Sequence, residues 1–124
     1  QQMPELRLMI EAKLKRFLQQ RYSISIVNRR VNFLKPAELE LDDAFEYYES
    51  EQVGLRFQAE VTHLLSRLVE YPQSYQQIGQ YACRCLVHKF PYGVIYQFRE
   101  KSGEILIIAI AHLHRKPDYW LSRE

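Results

Sequence analysis

The sequence predicts an α+β fold: a helical hairpin packed on a small antiparallel sheet, in the order β-α-α-β-β-β, with an additional helix at the N-terminus. Three observations predict it. Apolar residues recur at helical spacing in two segments between Pro36 and Pro72. Three strand-like segments with short turns follow between Tyr81 and Leu113. The chain has 124 residues, enough for one hydrophobic core but not for two.

The elements are justified in chain order. Residues 4–21 read as an amphipathic helix: Pro4 suits a first turn, and Leu6, Ile10, Leu14, Phe17 and Leu18 fall on one stripe. Lys13, Lys15, Arg16 and Arg21 crowd its C-terminal half, opposing the negative end of the helix dipole. Ser23 to Val27 reads as a short strand or a linker. Val31 to Leu34 reads as a strand stopped by Pro36. Pro36 opens a helix with Ala37, Leu41, Ala44, Phe45 and Tyr48 on its stripe, running to about Glu51. Gly54 breaks it, and Phe57, Val61, Leu64, Leu65 and Leu68 mark a second helix that ends before Pro72. Pro72 to Gly79 is polar and turn-rich.

The meander strands are Tyr81–Phe90, Gly93–Arg99 and Glu104–Leu113. Pro91-Tyr92 and Lys101-Ser102-Gly103 sit at the turns. Ile105 to Ala111 is apolar on both faces, which predicts a central strand covered on both sides. Lys116-Pro117 is expected to start a short terminal helix carrying Tyr119, Trp120 and Arg123. A hairpin on one face of the sheet would leave the other face open to a partner.

Composition narrows the classes. The apolar run Ile105–Ala111 is too short to span a bilayer, so no membrane segment is expected. Glu5, Arg7, Glu11 and Lys13 interrupt the apolar start, so no signal peptide is legible; the first residue is Gln rather than Met, as in a fragment or a processed product. Cys83 and Cys85 fit reduced thiols of a cytoplasmic protein, since a Cys-x-Cys disulfide on a strand would be strained. Cys83, Cys85, His112 and His114 lack the spacing of a zinc site, so no metal and no cofactor is expected. Charge is segregated. Residues 1–30 hold seven Lys/Arg against two Glu, residues 31–72 three against nine acidic, and residues 73–124 seven against four. A basic head, an acidic middle and a mildly basic tail bear on partners rather than on fold.

Several motifs carry a resemblance. Glu38-Leu39 and Asp42-Asp43-Ala44 lead to Tyr47-Tyr48-Glu49 on the first helix of the hairpin. Gly54-Leu55, Phe57 and Tyr71-Pro72 follow, then Arg84, Phe90-Pro91-Tyr92 and Ile95-Tyr96. Ala109-Ile110-Ala111-His112, Arg115-Lys116-Pro117, Tyr119-Trp120 and Arg123 close the series. From about Asn28 to Arg123 the chain resembles the RelE/ParE superfamily of type II toxin–antitoxin toxins, and most of all the ParE-like plasmid-stabilisation toxins. Residues 28–124 are then the toxin domain and residues 1–27 an extension to it.

The resemblance implies a bacterial, cytoplasmic toxin, neutralised by a cognate antitoxin, that inhibits growth by binding DNA gyrase. It can assemble as a homo-oligomer or as a toxin–antitoxin hetero-oligomer. The alternatives are a RelE-like endoribonuclease acting on mRNA in the ribosome, and a degenerate homologue acting only in operon autoregulation. The RelE pattern has an Arg after the aromatic that opens the middle meander strand. Here that position, after Tyr92, is Gly93, which cannot stabilise charge on a phosphorane. Whether the chain is an enzyme is left open, with non-enzymatic action favoured.

If it is a nuclease, the candidate catalytic residues are Arg84, Lys89, His112, His114, Arg115 and Tyr119, with the histidines suited to acid–base work. The candidate partner-binding residues are Arg84, Arg115, Tyr119 and Arg123, since Arg and Tyr are enriched in interface hot spots. Antitoxins of the superfamily dock through amphipathic helices. Leu6, Met9, Ile10, Leu14 and Phe17 would let the N-terminal helix act in the same manner within the chain. The acidic face of the first hairpin helix reads as solvated.

Overall fold

The computed structural model describes residues 7–10, 12, 13 and 29–124. Strand β1 (Arg30–Phe33) leads into helix α1 (Lys35–Ser50) and helix α2 (Gly54–Glu70). Strands β2 (Gln76–Gln77), β3 (Cys83–Leu86), β4 (Tyr92–Arg99) and β5 (Glu104–His112) follow, and a 3₁₀ turn (Leu121–Arg123) ends the chain. The five strands form one sheet in the order β1-β5-β4-β3-β2.

Strands β2 to β5 form an antiparallel meander, as expected. The sheet as a whole is mixed, however, because β1 runs parallel to β5 with Arg30 opposite Glu104 and Phe33 opposite Ile107. The cause is the helical hairpin, which carries the chain back across the sheet before the meander starts. Gln76–Gln77 is an added edge strand within the segment read as turn. The strand expected over Tyr81–Phe90 is shorter, because Val87 to Phe90 form the β3–β4 turn and Lys89 there has φ 69°.

Helix α1 starts at Lys35-Pro36, where proline sits in the first turn, and stops where Gln52 turns left-handed at φ 65°. The Gln52 N–H donates to the Glu49 carbonyl and the Val53 N–H to the Tyr48 carbonyl, a Schellman closure with Gln in the usual glycine place. Gly54 follows at once because α1 returns so closely: a Cβ there would lie 3.1 Å from the Glu49 Cα. At the far end of α2, Arg29 Nη1 donates to the Val69 carbonyl at 2.6 Å and caps the helix.

The main core lies between hairpin and sheet. Leu41, Phe57, Leu64, Leu65 and Leu68 meet Val94, Tyr96, Ile105 and Ile107 there. Ile10 is fully buried in that core, and Arg7 forms an ion pair with Glu38 of α1, so both residues hold their segment on the hairpin. Residues 7–10, 12 and 13 are helical, while the remainder of the expected N-terminal helix and the Ser23–Val27 segment lie outside the described residues.

A second cluster covers the opposite face, with Trp120 packed on Ala82, Ile95, Ile108, Ala109 and Ala111. That face is therefore partly roofed by the C-terminal segment rather than open along its length. A terminal helix starting at Pro117 does not form: Asp118 adopts φ 67°, which ends regular helix, and only the short 3₁₀ turn follows.

Candidate functional site

The site grows from an irregularity in β5. Ile95 pairs with Ala109 but Tyr96 pairs with Ile107, so Ile108 is an extra residue, a β-bulge. The bulge puts Ile107 and Ile110 on the helix side and both Ile108 and Ala109 on the other. It falls just past the end of β1, whose last bond runs from the Leu34 N–H to the Ile107 carbonyl. The Ile108 carbonyl and the Ile110 N–H therefore need partners that no strand supplies.

Two side chains supply them. Glu40 of α1 accepts from the Ile110 N–H through Oε1 at 2.9 Å, and Arg123 Nη1 donates to the Ile108 carbonyl at 2.9 Å. Arg123 also grips Glu40 with both prongs of its guanidinium, each at 3.0 Å. The Tyr119 hydroxyl donates to Glu40 Oε2 at 2.9 Å, and Arg115 approaches the same oxygen at 3.5 Å while lying over the Tyr119 ring at 3.7 Å. Glu40 thus gathers Arg115, Tyr119 and Arg123. Glu40 was not among the residues singled out by sequence; its only signal is an acidic residue beside the Glu38-Leu39 motif. Its helix face is not simply solvated, since the Glu40 carboxylate is mostly buried against the sheet.

Tyr119 responds electrostatically. Burial, followed by the Glu40 carboxylate that accepts its hydrogen bond and repels its anion, pushes the phenol up to about 12, with Arg115 and Arg123 opposing. The phenol stays neutral near pH 7 and is no base there.

On the open side, a cleft of about 170 Å³ is lined by Arg84, Ile95, Ala111, His112, Leu113, Arg115, Tyr119 and Trp120, with Asp118 among its neighbours. Arg84 reaches it across Gly93: a Cβ on Gly93 would lie 2.9 Å from the Arg84 Cδ and 3.0 Å from its Cγ. The arginine stem occupies the space that any side chain at position 93 would take. The Arg84 guanidinium makes no hydrogen bond or ion pair among the described residues.

The other candidates separate. His112 ends β5 with its ring 5.0 Å from Tyr92, and its Nδ1 accepts the His114 N–H at 3.1 Å. His114 lies exposed in the turn beyond the strand, with its ring 5.3 Å from that of His112 in an edge-to-face contact. Lys89 is exposed in the β3–β4 turn. Of the candidate residues, Arg84, His112, Arg115 and Tyr119 share the cleft; Lys89, His114 and Arg123 do not line it. Of the N-terminal residues, Ile10 is buried and Met9 is 43% exposed, because neighbours in a helix point about 100° apart; Leu6, Leu14 and Phe17 lie outside the described residues.

A larger cleft of about 650 Å³ lies beside β2, where Gln73, Gln77, Gln80 and Gln97 line it, but none of the candidate residues reaches it. Among the described residues no three His, Cys, Asp or Glu side chains cluster to hold a metal, and no helix is long and apolar enough to cross a membrane.

Residues 31–117 match the family described as the ParE toxin of the type II toxin–antitoxin system parDE. The chain belongs to the ParE toxin family. The matched stretch runs from β1 through the meander and ends inside the cleft-lining segment, short of Tyr119, Trp120 and Arg123. A solved structure titled "Chromosomal ParDE TA system from P. aeruginosa" shares the fold, with a TM-score of 0.59 and 14% sequence identity over 73% of this chain and 100% of that one. A comparison with curated protein sequences gives no match. The ParE framework leaves the N-terminal residues 1–30 outside its match.

Proposed function

We propose that this ParE-family chain arrests bacterial growth in the cytoplasm by binding DNA gyrase, in a plasmid-stabilisation module where a cognate antitoxin neutralises it. The observation that supports binding over RNA cleavage is the packing of Arg84 across Gly93. Where the RelE resemblance asks for an arginine after Tyr92, there is glycine, and its side-chain space already holds the Arg84 stem. Of the other nuclease candidates, Tyr119 and Arg115 serve Glu40 and His112 Nδ1 accepts a backbone N–H, while Lys89 and His114 stand exposed in turns outside the cleft. Phosphoryl transfer needs free charge stabilisers at the reacting group. The antitoxin belongs to this reading through the family, since the similar solved structure is by its title a ParDE pair.

The experiment is expression of the chain in bacteria, scoring DNA breaks and plasmid supercoiling against transcript cleavage on ribosomes. Gyrase poisoning gives the first without the second. Cleaved transcripts with intact DNA would instead assign a ribosome-dependent endonuclease, and neither response would assign a non-toxic co-regulator.

Residues 1–27 are proposed to be an extension that masks the toxin domain. Burial of Ile10 in the main core and the Arg7–Glu38 ion pair support an intramolecular docking of this kind.

A further inference from the structure

The larger cleft, beside β2, exists because β3 is short. Strand β3 begins opposite Tyr96, so Gln97, Phe98 and Arg99 continue β4 with β5 on one side and no paired strand on the other. The chain instead turns through residues 78–82, where the Ile78 and Gly79 N–H groups both donate to the Ala82 carbonyl. The gap left at the sheet edge is about 650 Å³, within the range of roughly 300–1,000 Å³ that small-molecule sites occupy. None of the residues considered for toxin action lines it.

Its polar groups are held in place. The Tyr81 N–H donates to Glu124 Oε2 at 2.8 Å, which fixes the carboxylate and leaves Oε1 to accept from elsewhere. Glu124 lies in the space that a side chain at Gly79 would take: a Cβ there would stand 2.8 Å from Oε2. Gln80 Nε2 donates to the Tyr81 hydroxyl at 2.8 Å and steadies a ring that is 63% exposed. Gln77 directs its Nε2 to the carbonyls of Gly79 and Gln80, so its Oε1 is left as an acceptor. Gln73 and the buried Gln97 add two further carboxamides.

Charge decides what fits. Arg99 is engaged by Glu104 at 3.4 Å and by Gln97 Oε1 at 3.2 Å, so it is not open to a phosphate, and the Glu124 carboxylate repels one. A neutral molecule remains, with a flat face for Tyr81, a donor and acceptor edge for the carboxamides and hydroxyls for Glu124. A purine ribonucleoside has all three. Carboxamides pair with the adenine edge, bases stack on aromatic rings, and carboxylates take ribose hydroxyls.

We propose that this cleft binds a purine ribonucleoside, with the base on the Tyr81 ring and the ribose diol on Glu124, and that Gly79 is the positioning residue that lets Glu124 lie there. The site goes beyond the toxin reading and does not depend on it.

The full chain is titrated calorimetrically with adenosine, 2′-deoxyadenosine, adenosine 5′-monophosphate and maltose. Adenosine is expected to bind saturably, and the deoxynucleoside and the monophosphate each about tenfold more weakly. Tyr81→Ala should lose about tenfold for adenosine, whereas Tyr81→Phe, which keeps the ring, should retain binding. Glu124→Gln should bring adenosine down to the affinity of 2′-deoxyadenosine, and Gly79→Ala should do the same by displacing the carboxylate. Should Gly79→Ala fail to fold, the variants at the exposed Tyr81 decide. The inference is overturned by an absence of saturable adenosine binding or by full affinity in Tyr81→Ala. Equal or tighter binding of the deoxynucleoside or the monophosphate, or tighter binding of maltose, overturns it as well.

Discussion

Glu40 and Arg123 stand 83 residues apart in the chain and close a two-pronged ion pair over the bulge of β5. The pair does more than bridge two charges. It satisfies the backbone donor of Ile110 and the backbone acceptor of Ile108 where β1 has run out. It also fixes the segment that carries Trp120 onto the second face of the sheet. Framework and cleft wall are therefore one unit: the geometry of Arg115 and Tyr119 depends on α1.

Arg123→Ala is expected to destabilise the fold by about 1–3 kcal/mol, because it leaves Glu40 charged, mostly buried and short of donors. Glu40→Gln should cost less, since an amide oxygen can still accept from Ile110. Urea denaturation of the two variants checks the order; a larger loss for Glu40→Gln would contradict this account of the bulge.

Asp42 behaves in the opposite sense. Burial, then the neighbouring Glu38, Asp43 and Glu46, hold its carboxyl above the usual range, and its Oδ1 is buried without a partner. Because the folded-state pKa is the higher one, the penalty is absent below the ordinary value and present in full above the raised one. Asp42→Asn should therefore stabilise the protein near pH 7 by about 0.5–1 kcal/mol, with the gain fading in acid. Melting curves of both proteins at pH 7 and pH 3 test this, and a gain that persists unchanged in acid would contradict it.

Tyr119 gives a prediction in alkali. Its phenol titrates at about 12 in the fold against about 10 in the unfolded chain, so the stabilisation is whole below pH 10 and is lost as pH rises toward 12. Tyr119→Phe should flatten part of that decline. The remainder belongs in part to Tyr96, which burial also raises and whose hydroxyl donates to the Pro72 carbonyl. Stability measured between pH 9 and pH 12 separates the two tyrosines.

Removal of residues 1–27 is expected to raise toxicity or antitoxin affinity, at some cost in stability because Ile10 leaves the core. Growth curves of cells expressing residues 28–124 beside the full chain provide the measurement. Unchanged toxicity and unchanged antitoxin affinity would remove the masking role.

Much of the framework was legible because it rests on periodicity. Leu41, Phe57 and Leu64 recur at helical spacing and bury their stripe, and the apolar stretch from Ile105 to Ala111 does become an inner strand between β1 and β4. What stayed hidden depends on contacts distant in sequence. No local pattern announces that β1 pairs in parallel with β5, that Ile108 is an inserted residue, or that Glu40 is reserved for Arg123. The terminal helix failed for a local reason that is also hard to read, since Asp118 adopts a left-handed conformation that most residues avoid. The cleft was half legible: Arg84, Arg115 and Tyr119 were named from the resemblance, while the dependence of Arg84 on Gly93 appears only when the two strands lie side by side.

The most direct test of gyrase binding is a supercoiling assay with purified gyrase and the purified chain from residue 28 onward. The account predicts concentration-dependent loss of supercoiling with accumulation of broken DNA, and no cleavage of mRNA on purified ribosomes by the same preparation. Unimpaired supercoiling together with cleaved mRNA would contradict it.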